Sequence, residues 1–169
     1  EMEAKTYDPD KARYYLQQAG LSSLDVTISV ADAAFSGAVD AGAMFSETAR
    51  AAGINMTVDR VPNDGYWPNV WLNPNGNTPF CATYWGGRAV EDHMFTTAYA
   101  AGADWNESFW NNERFNELLV TARSEINEDL RREMYHEMQQ LVSFEGSTII
   151  PMYNNYVMAL SNKIATPER

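Results

Sequence analysis

Two strand-like segments separated by one helix-length stretch constrain the fold of this chain more than any other feature of its sequence. Residues 25–30 and 54–58 alternate their side chains with a period of two and are rich in β-branched residues, which is typical of half-buried strands. Val26, Ile28 and Val30 are predicted to form the packed face of the first strand. A strand, a helix and a strand within about 35 residues form a βαβ unit with parallel strands. The sequence therefore predicts an α/β fold with a mainly parallel or mixed sheet flanked by helices.

Capping residues and apolar residues at helical spacing predict the helices of the first half. The first helix begins with Asp8 as N-cap and Pro9 in its first turn, and it ends at Gly20. The helix between the two strands ends at Gly53. Its apolar stripe is predicted to consist of Ala38, Ala41, Phe45, Ala49 and Ala52.

The second half of the chain is predicted to add one strand to the sheet and to end in helices and two strand-like segments. In chain order we expect a short helix within 64–72, a turn at 73–77, a strand over 80–85, a helix over 93–100 capped by Asp92, a helix from Glu113, a helix after an Asn127 cap, and strands at 148–150 and 153–160 across Pro151. The predicted core of the two long helices is Phe115, Leu118, Leu119, Ala122, Leu130, Met134, Met138, Leu141 and Val142.

The composition excludes several classes of protein. The length of 169 residues suits one domain, and 12 basic against 23 acidic residues give a net charge of −11. This charge repels phosphate backbones and anionic lipids, so we expect no nucleic-acid partner and no membrane insertion. One cysteine, Cys81, cannot form an internal disulfide. The acidic start at Glu1 is unlike a secretory leader, and we expect a chain cut from a longer one.

The sequence carries no signature of catalysis, metal binding or a cofactor. It has no G-x-S-x-G elbow, no phosphate-binding glycine loop and no G-x-G-x-x-G motif. His93, His136 and Cys81 are the only His and Cys residues and lie far apart in sequence. We therefore expect no metal site and no cofactor.

The stretch from Tyr84 to Arg88 is the predicted ligand site. In open α/β sheets, ligands bind beyond the carboxyl ends of parallel strands, and this stretch follows the predicted third strand. Gly86 and Gly87 allow close approach, Trp85 offers a flat apolar wall, and the Arg88 guanidinium matches a carboxylate or phosphate. The alternative interpretation is that the glycines merely turn the chain, Trp85 lies in the core and Arg88 pairs with a surface acid.

Four further tryptophans lie in connections rich in asparagine and glycine. They are Trp67, Trp71, Trp105 and Trp110, and most of them are predicted to fill the core beneath their loops rather than to line a binding surface.

Several stretches in the same order resemble extracytoplasmic solute-binding proteins of peptide, opine and nickel ABC importers (family 5). The stretches are 7–12 with Leu16, Ala19 and Gly20; Tyr84 onward with Phe95; 112–119; 131–135; and 149–153. The resemblance covers essentially the whole chain and implies a periplasmic-binding-protein-like fold, with residues 1–169 as the single ligand-binding C-terminal lobe of a two-lobed protein. The N-terminal lobe and a return segment after Lys163 would complete that protein.

The resemblance also implies a function. The chain would bind a small-molecule or peptide solute in a cleft between lobes and deliver it to an ABC permease from the periplasm. In peptide-binding relatives a carboxylate three residues after the tryptophan captures the peptide amino terminus, but here that position is Arg88. A guanidinium favours an acidic group instead. The implied ligand-binding residues are Tyr84, Trp85, Gly86, Gly87, Arg88 and Asp92, with Asp92 or Glu91 able to take an amine.

Two other functions remain open at this point: a small α/β hydrolase-like enzyme that uses scattered carboxylates, and an interaction module without a small ligand. Peptide, opine, sugar phosphate and metal chelate all remain open as ligands. Binding by one lobe alone is expected to be weak, because sites of this kind enclose most of the ligand surface.

Overall fold

The computed structural model describes residues 5–72, 78–155, 157, 159–161 and 163–164. The predicted turn at 73–77 lies outside them. The elements in chain order are α1 (Pro9–Gln18), β1 (Leu24–Val30), α2 (Ala38–Ala49), a 3-10 turn (Arg50–Ala52), β2 (Ile54–Arg60), α3 (Tyr66–Asn69), α4 (Glu91–Ala98), α5 (Glu113–Ser124) and α6 (Glu128–Phe144). The α/β class is confirmed.

The βαβ unit is present with the predicted parallel pairing. β1 and β2 are in register from Leu24 opposite Ile54 to Val30 opposite Arg60. Ile28 and Val30 are buried and Val26 is half-buried, which confirms the predicted face. The crossover contains α2, which continues as the 3-10 turn Arg50–Ala52. Gly53, the predicted C-cap, ends that turn with a left-handed φ of 81°.

The predicted third strand over 80–85 is wrong as a strand. Within the described residues this stretch pairs with the sheet only at Cys81, through one parallel bridge to Ser29. The Ser29 amide donates to the Phe80 carbonyl at 3.0 Å, and the Ala82 amide donates to the Ser29 carbonyl at 3.0 Å. The stretch is therefore extended chain that runs alongside β1 and then leaves it.

The buried face of α2 differs from the predicted stripe. Ala38 and Ala49 are buried as expected, but Gly42 and Ser46 lie between them, while Phe45 is exposed. The helix needs small residues here because it packs closely on the strands. The Ser46 hydroxyl donates to the Met56 carbonyl at 2.6 Å, which satisfies the hydroxyl group at this close contact.

Replacing Gly42 by valine is expected to lower the free energy of unfolding by about 1–3 kcal/mol, the usual cost of overpacking. A Cβ at Gly42 would lie 3.0 Å from Cγ1 of Val30 and 3.5 Å from Cγ1 of Val58. Ala43→Val, on the exposed side of the same helix, is the control. Urea denaturation of both variants checks this, and equal stability of the two would contradict the close contact.

α1 forms as predicted but buries little. The Asp8 side chain accepts from the Lys11 amide at 2.9 Å, and Gly20 adopts a left-handed φ of 76°. No residue of α1 is buried, and the Leu16 side chain lies near Gly53.

The helices of the second half form a core of their own. Asn112 and Asn127 cap α5 and α6 through their side chains, as predicted for Asn127. The predicted core residues of α5 are all buried, and on α6 Met138 and Val142 are buried while Leu130 is exposed. The buried set is Phe95, Ala98, Tyr99, Phe115, Leu118, Leu119, Ala122, Met138 and Val142.

The predicted strands at 148–150 and 153–160 are wrong for the residues that the structure describes. These residues have no regular hydrogen bonding, and Ile149, Tyr153 and Val157 are exposed. None of these residues pairs with a strand in the described part of the chain. No helix among the described residues has the length and apolar character needed to cross a bilayer.

Candidate functional site

The predicted site, the stretch from Tyr84 to Arg88, lies at the carboxyl edge of the small sheet. Cys81 forms a parallel bridge with Ser29, one residue before the end of β1. Tyr84 and the residues after it therefore lie beyond that end of the strand. The short helix α3 follows the end of β2 and lies at the same edge. This is the edge where open α/β folds bind ligands. The segment lies there, and its role in ligand binding stays a prediction.

Tyr66 of α3 joins these two segments. Its ring is buried, and its hydroxyl donates to the Ala82 carbonyl at 2.5 Å and lies 3.4 Å from the Ser29 carbonyl. Burial raises the pKa of Tyr66 well above its ordinary value, with the nearby Cys81 adding to the effect. Burial also raises the pKa of Tyr99, in the helical core, to about 12.

These two tyrosines make stability sensitive to alkaline pH. Because the unfolded chain loses their protons near pH 10 while the folded chain keeps them, stability is complete below about pH 10 and falls above it. Each contributes a slope of at most about 1.4 kcal/mol per pH unit. Tyr66→Phe should be less stable at neutral pH but lose less stability between pH 9 and 11. Urea denaturation across this range checks the effect, and parallel pH profiles for the two proteins would contradict it.

Five rings form what we call the aromatic wall: Trp67, Trp71, Tyr84, Trp85 and Trp105. Trp67 lies 5.7 Å from Tyr84 and 5.5 Å from Trp71, Trp71 lies 6.4 Å from Trp85, and Trp85 lies 6.1 Å from Trp105, measured between ring centroids. Tyr84 is 60% exposed and Trp105 50% exposed, so the wall has an open side. Trp67, Trp71 and Trp110 also pack against buried clusters, which confirms the prediction for most of the four tryptophans, and Trp105 is exposed.

Glu107 bonds to two tryptophans of the aromatic wall, and the sequence analysis did not predict this role. Its two carboxylate oxygens accept hydrogen bonds from two different indoles: Oε2 from Trp71 and Oε1 from Trp85, the latter at 3.1 Å. Glu107 lies in a loop between Trp105 and Phe109, and this arrangement matches no known sequence motif. The only available signal was a carboxylate within the tryptophan-rich stretch.

Arg88 lies against the wall. Its guanidinium carbon is 5.7 Å from the centroid of a Trp85 ring, a cation–π arrangement, and Nη1 donates to the Gly86 carbonyl at 2.7 Å. No ion pair to Arg88 occurs among the described residues. A Cβ at Gly87 would meet nothing within 4 Å, so the surface beside Arg88 is open. Arg88 is thus held by its own loop rather than by an acid.

Asp92 does not have its predicted capping role. α4 begins at Glu91, two residues earlier than predicted, with Val90 as N-cap, and no side chain caps it. The Asp92 carboxylate instead accepts from Nε of Arg123 at 2.7 Å and from the hydroxyl of Tyr135 at 3.4 Å. The structure therefore directs Asp92 toward α5 and α6 rather than toward the aromatic wall.

Two concavities accompany this arrangement. A small one of about 130 Å³ lies at the carboxyl edge, lined by Ala31, Asp32, Val39, Arg60, Val61, Pro62 and Asn63. A larger one of about 850 Å³ lies along the exposed side of α5, around Arg114 and Val120, away from the predicted site. Its floor is a solvated face that carries the exposed Arg114–Glu137 ion pair, so its size does not make it the better site. Within the described ranges, no three His, Cys, Asp or Glu side chains are grouped to hold a metal ion.

No protein-family model matches the chain, and no curated protein matches it. Solved structures do. A putative peptide binding protein AppA from Clostridium difficile superposes on 80% of this chain with a TM-score of 0.66 and 19% identity. DppA from Helicobacter pylori, an ABC transporter-associated periplasmic binding protein in complex with the peptide STSA, superposes on 86% with a TM-score of 0.62 and 20% identity. NikA from Staphylococcus aureus, in complex with Ni(L-His)2, superposes on 85% with a TM-score of 0.64 and 16% identity.

These likenesses show the fold. The chain folds as one part of the periplasmic-binding-protein-like architecture found in solute-binding proteins of ABC transporters, as the resemblance predicted. It spans 28%, 28% and 31% of those three chains, which is less than one third of the length of each.

Proposed function

We propose that this chain is the ligand-binding lobe of a non-catalytic solute-binding protein and that residues 1–169 form that single lobe. In this role it binds a peptide-like or opine-like solute in a cleft against a second lobe and hands the solute to an ABC permease in the periplasm. Tyr84, Trp85, Gly86, Gly87 and Arg88 form its contribution to the binding surface. Asp92, whose carboxylate is engaged with Arg123, stays outside that surface.

One observation carries this proposal: a guanidinium that has no acidic partner among the described residues lies against an aromatic wall at the carboxyl edge of a parallel sheet. Its remaining N–H groups can donate two parallel hydrogen bonds to a carboxylate or phosphate. The neighbouring rings supply the flat apolar contact that such sites use.

The same arrangement argues against capture of a free amine. A guanidinium repels an ammonium group, and the carboxylate bonded to the wall, Glu107, already accepts from two indoles. The ligand class proposed here is therefore an acid, with its carboxylate or phosphate on Arg88 and its apolar part along Trp85.

Matched pairs of solutes test this proposal. We expect saturation-transfer NMR to detect weak binding of trialanine and of a sugar phosphate to the chain, and much weaker binding of trialanine amide and of the unphosphorylated sugar. Each pair differs only in the anionic group. Equal binding within both pairs, or no binding of any acid, would contradict the proposed ligand class.

A further inference from the structure

We infer that Glu107 is the positioning residue of the aromatic wall: its single carboxylate fixes the two indoles of Trp71 and Trp85, and through Trp85 it fixes the surface that carries Arg88. The relevance of this to ligand binding rests on the proposed function. The positioning itself rests on the hydrogen bonds alone.

The donor and acceptor counts make this arrangement specific. An indole has one donor and no acceptor, so each ring can be held at its polar edge by only one bond. Trp71 uses that bond on Oε2 of Glu107 and Trp85 uses it on Oε1 at 3.1 Å. One side chain therefore sets the orientation of both rings relative to each other.

Only a carboxylate can do this at both oxygens. A glutamine at the same place would present its oxygen to one indole and its amide N–H groups to the other, where two donors would face each other. A bond to a charged acceptor is also stronger than one to a neutral acceptor. The position therefore requires the charge as well as the shape of glutamate.

The loop around Glu107 is itself rigidly held. The preceding residue, Asn106, is 3% exposed, and its side-chain amide donates to the Ala100 carbonyl at 3.1 Å and to the Trp110 carbonyl at 2.7 Å. This fixes the backbone from which the Glu107 side chain extends toward the wall.

The chain of contacts continues to Arg88. The carboxylate binds the Trp85 N–H, and the guanidinium lies 5.7 Å from the centroid of a ring of the same tryptophan. Negative, aromatic and positive groups are thus arranged in order. If Trp85 lost its bond to Glu107, the ring could turn and Arg88 would lose its support.

Positioning and simple electrostatics predict opposite results. Removing a negative charge near Arg88 should strengthen binding of an anion if charge alone matters. If Glu107 positions the wall, its removal should weaken anion binding, because Arg88 and Trp85 are no longer held in place.

The test compares Glu107→Ala and Glu107→Gln with Asp104→Asn, a control three residues away that is exposed and has no hydrogen bond or ion pair within the described residues. We expect the near-ultraviolet circular dichroism of the tryptophans to fall by about half in Glu107→Ala, to fall less in Glu107→Gln, which keeps one acceptor, and to stay unchanged in Asp104→Asn. Far-ultraviolet spectra establish that each variant is folded. A wild-type near-ultraviolet spectrum in folded Glu107→Ala or Glu107→Gln would overturn the inference.

A second readout uses trialanine as the probe. We expect its dissociation constant to rise about tenfold in Glu107→Gln and to stay the same or fall in Asp104→Asn. Tighter binding by Glu107→Gln would overturn the positioning role. The circular dichroism spectra are recorded without ligand. Altered spectra in the Glu107 variants would therefore support the inference even if the wild-type chain did not bind trialanine, a result that would count against the proposed function.

Discussion

Asn106→Ala is expected to lower the free energy of unfolding by about 3 kcal/mol or more, the largest effect on stability that the structure predicts for a polar residue. The side chain is buried and is fully used. Its amide donates to the carbonyls of Ala100 and Trp110, and its oxygen accepts from the Trp110 amide at 3.2 Å and from the Ser108 hydroxyl at 3.3 Å. Truncation leaves two carbonyls without these donors, at a cost of about 1–3 kcal/mol each.

Asn111→Ala is the matched control, because Asn111 is in the same loop but exposed, and among the described residues its side-chain oxygen accepts from Asn116 alone. Urea denaturation should separate the two variants clearly. Because Asn106 holds the loop that carries Glu107, the near-ultraviolet signal of the tryptophans should fall in Asn106→Ala as well. If both variants were equally stable, the hydrogen bonds of Asn106 would not be organising this loop.

Arg88→Ala is expected to weaken the binding of trialanine by about 10- to 100-fold, since hydrogen bonds to charged groups contribute about 1.5–3 kcal/mol each. Arg88→Glu should abolish this binding and shift the preference toward trialanine amide, whose only charged group is an amine. Neither change should disturb the fold, because the half-buried Arg88 makes no ion pair within the described residues and donates to the Gly86 carbonyl of its own loop.

Arg114→Ala serves as the control for Arg88, because it removes an exposed arginine of α5 that is paired with Glu137 and lies on the larger concavity. It should leave trialanine binding unchanged. Dissociation constants from NMR titration of the three variants measure both effects. A loss of binding in Arg114→Ala instead of Arg88→Ala would assign the ligand to the α5 face.

Local patterns predicted much of this fold because their causes are local. The β-branched alternation of β1 and β2 and the side-chain caps at Asp8 and Asn127 each depend on a few neighbouring residues. The turn into the left-handed region at Gly20 is equally local. These elements could therefore be placed to within a few residues.

The errors arose where a distant partner decides the outcome. The extended stretch at 80–85 has strand-forming residues, but a strand requires a partner along its whole length, and here only Cys81 has one. Asp92 is a residue type that often caps helices, yet its carboxylate accepts a hydrogen bond from Arg123, thirty-one residues later. The buried face of α2 includes Gly42 because Val30 packs closely against it. The sequence does not reveal this close contact, so the predicted face was wrong there.

The candidate site likewise contains residues that the sequence could predict and one that it could not. The βαβ unit and the chemistry of Arg88 and Trp85 were enough to predict that they lie beyond the carboxyl edge of the sheet, although the stretch before them is not a strand. Glu107 did not follow, because its role depends on two indole N–H groups that fold brings together from positions thirty-six and twenty-two residues away. No periodicity or motif encodes such a contact.

Mapping the backbone amides and indole N–H groups by heteronuclear NMR during a trialanine titration tests the location of the site most directly. The account predicts that the largest shift changes fall on Gly86, Gly87, Arg88 and the indole of Trp85, and that they vanish in Arg88→Ala. Largest changes along α5 or around the small concavity near Asp32, with Trp85 to Arg88 unmoved, would contradict it.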